Sequence, residues 1–167
     1  SFPELFAEQA ARTPELPAAS SSGAVLTYAE LERRANQLAH HLRGLGVGPE
    51  TRVGICLERS AETVVAMLAV MKAGGAYLPL DPALPAARLA WMLEDAGAVA
   101  ILAQPHLADR LMPTSLPLVP LALETDDGPA IPYSLFPIPS SSLAYVLYTS
   151  GSTGTPKGVG VSHAAAA

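Results

Sequence analysis

The chain has 167 residues, of which half are hydrophobic and 15% are charged, and its formal net charge is −5 at pH 7. Intrinsic disorder along the whole chain requires low hydrophobicity and high net charge, so this composition excludes it. The acidic balance argues against a nucleic-acid-binding protein, because binding to phosphate backbones requires a basic surplus.

Other features of the composition concern the compartment and the membrane. The single cysteine, Cys56, excludes a disulfide within the chain. The longest clean apolar run, residues 64–71, is far shorter than the ~20 residues that span a bilayer. The first residues have neither the basic region nor the continuous apolar region of a signal peptide. We therefore expect a cytoplasmic protein without a membrane partner.

The first third of the chain predicts two helices on either side of a hairpin. Ser1 and Glu4 have the spacing of a capping box, which marks a helix start. Residues 18–27 are β-prone around a central Ser-Gly pair, which predicts a short hairpin. Thr27 and Glu30 form a second capping box, and the helix after it has apolar residues at alternating intervals of four and three. These residues are Leu31, Ala35, Leu38, Leu42 and Leu45.

The middle of the chain alternates apolar runs with helical patterns. We predict strands at 53–57, 76–80 and 99–103, helices at 61–73 and 88–96, a weak helix at 106–111 and a possible strand at 118–121. Strands that alternate with helices of about ten residues predict βαβ units. The expected fold class is therefore α/β, with a mostly parallel sheet flanked by helices.

The last third predicts a hairpin after a long loop. Residues 124–142 are polar and rich in proline, which predicts a loop or linker on the surface. Strands are predicted at 143–148 and 159–161, with the loop 149–158 between them. The four alanines at 164–167 carry no packing or turn information, and we interpret them as an artificial end or as a stretch of unassigned side chains.

The loop from Thr149 to Gly158 has the composition of a polyphosphate cradle. It contains five hydroxyl side chains, three glycines and one lysine. Glycines let backbone N–H groups approach an anion closely, hydroxyls donate to phosphate oxygens, and a lysine adds a positive charge. It is not a Walker A loop, because Pro156 stands where that motif requires glycine. A flexible Ser/Gly linker is the alternative, and the Pro-Lys-Gly exit between two apolar strands argues against it.

Three segments resemble a known family. Residues 143–158 closely resemble the phosphate-loop signature of adenylate-forming enzymes, which include acyl-CoA synthetases, luciferases and the adenylation domains of nonribosomal peptide synthetases. Residues 26–31 and 71–82 are similar to the first and second core motifs of the peptide synthetase domains. The resemblance runs from Phe2 to His163, so it identifies residues 1–163 as the N-terminal portion of an adenylation domain, in the large subdomain.

The resemblance implies that an amino acid carboxylate attacks the α-phosphate of ATP, giving an aminoacyl-adenylate and pyrophosphate. The adenylate then passes to the phosphopantetheine thiol of a peptidyl-carrier domain, next to a condensation domain. ATP and Mg²⁺ are the implied cofactors. The implied phosphate-binding residues are Thr149, Ser150, Gly151, Ser152, Thr153, Gly154 and Lys157. The family's catalytic lysine and substrate pocket lie downstream of this loop, so no catalytic residue or metal ligand is assigned and the isolated chain is expected to be inactive.

Two alternatives remain open: a fragment of an acyl-CoA ligase-like carboxylate activator, and a catalytically silent module that acts as a packing or interface partner. The first two core motifs have sufficient explanations as helix cap, helix end and buried strand, so we interpret both as scaffold.

The remaining candidate residues give weaker indications of a functional site than the loop does. His40 and His41 are neighbours on a helix and point about 100° apart, so they cannot easily chelate one ion together. Cys56 lies in an apolar strand and is interpreted as a core thiol. The adjacent acids at 94–95 and 126–127 are expected to be solvated. His163 follows the loop closely enough to approach a nucleotide, although a histidine at the end of an exposed strand is the commoner case.

Overall fold

A six-stranded sheet organises the computed structural model, which describes residues 1–21, 23–112, 114–121, 137–150 and 156–166. The helices are α1 (Phe2–Arg12), α2 (Tyr28–Gly44), α3 (Ala61–Lys72), α4 (Ala86–Asp95) and α5 (His163–Ala166), with a 3-10 helix at Pro105–Leu111. The strands are β1 (Pro17–Ser21), β2 (Ala24–Thr27), β3 (Arg52–Cys56), β4 (Ala76–Pro79), β5 (Ala98–Ala103), β6 (Leu118–Pro120), β7 (Leu143–Thr149) and β8 (Lys157–Ser162).

The predicted start of the long helix α2 is confirmed by its hydrogen bonds. The backbone N–H of Glu30 donates to Thr27 Oγ1 at 3.2 Å, and the backbone N–H of Thr27 donates to Glu30 Oε2 at 2.8 Å. The bond from the Thr27 backbone N–H stabilises the ionised carboxylate and lowers the pKa of Glu30. Reciprocal bonds of this kind satisfy two backbone donors that a helix end would otherwise leave without partners. The hairpin before α2 is also confirmed, with β1 and β2 antiparallel.

The large sheet has the strand order β6-β5-β3-β4-β7-β8. Its neighbouring strands run parallel, except for the antiparallel pair of β7 and β8. The mostly parallel sheet expected from the alternation of strands and helices is therefore confirmed. The weak helix predicted at 106–111 is a 3-10 helix, and the predicted last strand is longer than expected, so that Lys157 opens it.

Helices cover both faces of the sheet. Because successive residues of a strand point to opposite sides, neighbouring residues of one strand enter different core clusters. Val53 and Ile55 of β3 lie in one core cluster with residues of α2 and α3. Cys56, at the end of β3, lies in a second cluster with residues of α4 and the 3-10 helix. The result is a three-layer arrangement with the sheet in the middle. None of the described helices combines the length and apolar character needed to cross a membrane.

Candidate functional site

A cleft opens where β3 and β4 end, at the carboxyl edge of the parallel strands. After β3 the chain turns to α3 on one face, and after β4 it turns to α4 on the other face. Adjacent strands whose connections leave to opposite faces create a crevice, and ligands of α/β proteins bind at such crevices. The cleft has a volume of about 580 Å³. Its lining includes Ile55, Leu57, Arg59, Leu80, Asp81 and Pro82.

The two ends of the predicted phosphate loop lie at this same edge. Strand β7 runs parallel to β4, with Tyr145 paired to Tyr77, so β7 also ends at the carboxyl edge. Thr149 is its last residue and is paired with Lys157, the first residue of β8. Side chains of such directly opposed residues share a face and stand about 5 Å apart at Cβ. The structure therefore brings Thr149 and Lys157 together, and Ser150 follows Thr149 directly at the same edge.

Lys157 supplies an accessible positive charge at this edge. Its side chain is exposed, as are Thr149 and Ser150. Within the described ranges, Lys157 has no carboxylate at ion-pair distance. A hydroxyl beside an ammonium that has no described carboxylate partner can bind an anion such as a phosphate. The predicted site residues Gly151, Ser152, Thr153 and Gly154 lie outside the described residues.

The first residue before the loop, Tyr148, connects β7 to α4. Its hydroxyl donates to Asp95 Oδ2, and its ring meets the Trp91 ring edge-on at a centroid distance of 5.5 Å. Burial of the hydroxyl and the nearby Asp95 carboxylate raise the pKa of Tyr148 well above its usual range. Asp95 is exposed, as predicted for a solvated acid. Its bond to Tyr148 was not predicted, because no local pattern joins residues 53 positions apart.

Several other candidate residues have structural explanations. Cys56 is fully buried, and burial raises the pKa of its thiol, which confirms the prediction of a core cysteine. The described part of the chain contains no group of three histidine, cysteine or acidic side chains that could hold a metal ion. The acids Asp126 and Asp127 fall outside the described residues.

His163 differs from its expected place at the end of an exposed strand. Its side chain is 1% exposed, and its backbone N–H donates to the Ser142 carbonyl at 3.0 Å. It begins α5, at the opposite end of β8 from Lys157, so roughly 20 Å of strand separates it from the loop edge. The structure therefore does not bring it to the predicted phosphate site.

Burial lowers the pKa of His163 below its usual range. Just below pH 6.5 the unfolded chain therefore binds more protons at this residue than the folded chain. Stability then rises with pH through that window and falls on acidification. We expect the free energy of unfolding to decrease from pH 7 to pH 5. The pH dependence should be weaker in His163→Gln, as measured by urea unfolding at each pH. An equal slope in the variant would contradict this assignment.

Comparison with known proteins gives a consistent result. The family model described as AMP-binding enzyme matches residues 6–167. The chain is 51% identical over 164 residues to tyrocidine synthase 3 of Brevibacillus parabrevis, covering 96% of the chain and 2% of that protein. It is 50% identical over 160 residues to a plipastatin synthase of Bacillus subtilis (strain 168), covering 95% of the chain and 6% of that protein. The chain thus spans a small part of each of these relatives.

A similar fold occurs in solved structures. The crystal structure of the nonribosomal peptide synthetase FmoA3 in its α-methyl-L-serine-AMP-bound form superimposes with a TM-score of 0.86 at 40% sequence identity. The match covers 96% of this chain and 18% of that chain. The AMPPNP-bound form of the same synthetase gives a TM-score of 0.85.

Proposed function

This chain belongs to the AMP-binding enzyme family, and we propose that its parent enzyme activates an amino acid with ATP in nonribosomal peptide synthesis. In this reaction an amino acid carboxylate oxygen attacks the α-phosphorus of ATP and pyrophosphate leaves. The aminoacyl-adenylate then acylates the phosphopantetheine thiol of a peptidyl-carrier domain, and AMP leaves. We further propose that residues 1–163 are the N-terminal portion of the adenylation domain, that a condensation domain is a further partner, and that the parent is cytoplasmic.

The observation that carries this proposal is the pairing of Thr149 with Lys157 at the carboxyl edge of a parallel sheet. It places exposed hydroxyls, and an ammonium with no carboxylate partner among the residues that the structure describes, where ligands of such sheets bind. The AMPPNP and α-methyl-L-serine-AMP that similar synthetase structures contain support a nucleotide as the ligand. The positive charge of Lys157 and the hydroxyls of Thr149 and Ser150 complement the negative charge of the ATP polyphosphate.

We propose that the loop binds the β- and γ-phosphates of ATP. The proposed contacts are made by Thr149, Ser150, Gly151, Ser152, Thr153, Gly154 and Lys157. Lys157 would offset the charge that develops on the leaving pyrophosphate, which lowers the barrier if that contact strengthens in the transition state. Mg²⁺, which prefers oxygen ligands and keeps phosphates among them, would neutralise further phosphate charge.

Two other functions were open from the sequence. An acyl-CoA ligase-like activator would use the same loop with another acid and thiol. The peptide synthases among the similar proteins favour the amino acid substrate. A silent packing module would need no accessible cation at the loop edge, so the exposed Lys157 favours an active site.

The proposal is tested by ATP–pyrophosphate exchange in the purified parent enzyme, with each of the twenty amino acids in turn. We expect exchange that depends on one or a few amino acids, and no exchange by the 167-residue chain alone. Exchange supported by fatty acids and not by amino acids would replace the proposal by the ligase alternative. No exchange with any carboxylic acid would favour the silent module.

A further inference from the structure

The side chain of Tyr148 contacts both strands that carry the loop-edge residues. It lies on β7 immediately before Thr149 and Ser150, and it is paired across the ladder with Gly158, which follows Lys157. A Cβ atom at Gly158 would lie 3.3 Å from Tyr148 Cζ, so the missing side chain leaves room for the tyrosine ring over β8. One aromatic ring thus packs beside both ends of the loop.

The other side of this ring is fixed by α4. Trp91 packs edge-on against the ring, and the tyrosine hydroxyl donates to the Asp95 carboxylate. The same hydroxyl lies 3.5 Å from the carbonyl oxygen of Met92. Tyr148 is therefore held by an aromatic contact and by a hydrogen bond to an ionised acceptor, which is stronger than a bond between neutral groups.

Asp95 occupies a position that the helix alone does not favour. It is the last residue of α4, and the partial negative charge of a helix C-terminus repels a carboxylate. Two neighbours offset this repulsion: the Tyr148 hydroxyl donates to the carboxylate, and Arg52 Nε donates to the Ala96 carbonyl at 2.6 Å. Asp95 therefore contributes little to the stability of α4. Its hydrogen bond in this region is with the Tyr148 hydroxyl.

We propose that Tyr148, held by Asp95, is a positioning residue for ATP: it sets where Thr149, Ser150 and Lys157 stand at the sheet edge. This inference rests on the proposed function of that edge. Tyr148 faces the α4 side of the sheet, whereas the side chains of Thr149 and Lys157 face the other side. Tyr148 therefore acts through the backbone of β7 and β8, without touching the phosphates.

The variant that tests this is Tyr148→Phe in the parent enzyme, which keeps the ring and removes the hydroxyl. We expect the KM for ATP to rise roughly tenfold, since displaced binding groups lose affinity without being altered themselves. The KM for the amino acid is expected to stay unchanged. Tyr145→Phe is the matched control, because its hydroxyl lies on the opposite face of β7 and has no hydrogen bond to any described residue. We expect wild-type kinetics in that control.

Asp95 provides a second test that does not disturb the core, because its side chain is exposed. Asp95→Ala should raise the KM for ATP as Tyr148→Phe does, with little change in melting temperature. Asp95→Asn should retain near wild-type KM, because its amide oxygen can accept the same hydrogen bond. The double variant of Tyr148→Phe and Asp95→Ala should be no worse than the poorer single variant, since both remove one interaction.

The possible failures are distinct. If Lys157→Ala weakens ATP binding while Tyr148→Phe and Asp95→Ala keep the wild-type KM for ATP, the inference is wrong and the proposed function stands. If Tyr148→Phe lowers the melting temperature and changes both KM values equally, the role of Tyr148 is structural and the inference is also wrong. If the wild-type parent shows no ATP-dependent exchange, the proposed function and the inference fail together.

Discussion

Replacing Lys157 by alanine in the parent enzyme is expected to lower the kcat/KM of adenylate formation by roughly ten- to a hundredfold. Hydroxyls and backbone N–H groups are neutral, so they leave several negative charges of the phosphates without a positive partner. Lys157 can supply a positive charge, since it stands opposite Thr149 at the loop edge. A hydrogen bond to a charged group contributes about 1.5–3 kcal/mol, which corresponds to that range. If the contact strengthens as pyrophosphate leaves, kcat falls as well as the apparent ATP affinity.

Two control variants and the melting temperatures separate the charge of Lys157 from its packing. Lys157→Arg should recover only part of the activity, because a planar guanidinium does not replace a compact ammonium. Arg12→Ala removes another exposed cation, at the end of α1, and should leave adenylation unchanged. Melting temperatures should be similar for all three variants, since Lys157 is exposed. Unchanged kinetics in Lys157→Ala would show that the residue is a bystander, and a large fall in its melting temperature would show a structural role.

The elements that the sequence predicts well are those whose determinants are local. The capping box of Thr27 and Glu30 forms between residues three positions apart. The apolar stripe that begins at Leu31 packs into the core cluster that α2 shares with α3 and the sheet. The run after Arg52 becomes a strand buried on both faces. Periodicity and caps are sufficient to predict these elements, because the interactions that form them join residues close together in the sequence.

The parts that the sequence does not predict depend on contacts between distant residues. The loop could be identified by composition, but the pairing of Thr149 with Lys157 follows from the register of β7 and β8. His163 was expected at an exposed strand end, and it is buried because α5 turns back against the start of β7. Tyr148 meets Asp95 across 53 residues, so no spacing pattern could reveal their bond.

Lys72 is a further residue whose surroundings no local pattern predicts. It follows an apolar run at the end of α3, and its side chain is fully buried between α3 and α2. Its Nζ donates to Glu32 Oε1 at 2.6 Å and to Asn36 Oδ1 at 2.8 Å. Burial lowers the pKa of Lys72, and the bond to Glu32 opposes that shift. The ammonium is thus kept in the core by partners four residues apart on α2.

Lys72→Met is therefore expected to destabilise the chain by about 3 kcal/mol, because removing one partner of a buried pair leaves the other without compensation. Methionine fills a similar volume, so the loss reflects the unpaired polar groups of Glu32 and Asn36 more than a cavity. The free energy of unfolding in urea measures it, with unchanged slope against denaturant concentration.

Adding Glu32→Met to Lys72→Met should recover the part of the loss that comes from the unpaired carboxylate, since two well-packed apolar residues often replace a buried ion pair without cost. The part that comes from Asn36 should remain, because Asn36 contacts both replaced side chains. Glu32→Gln alone should be milder than Lys72→Met, because the amide oxygen can still accept from Nζ. A loss in the double variant equal to the sum of the two single losses would show that Glu32 and Lys72 do not act as a pair. In that case the contact between α2 and α3 would depend on apolar packing, with Lys72 contributing through its methylene stem.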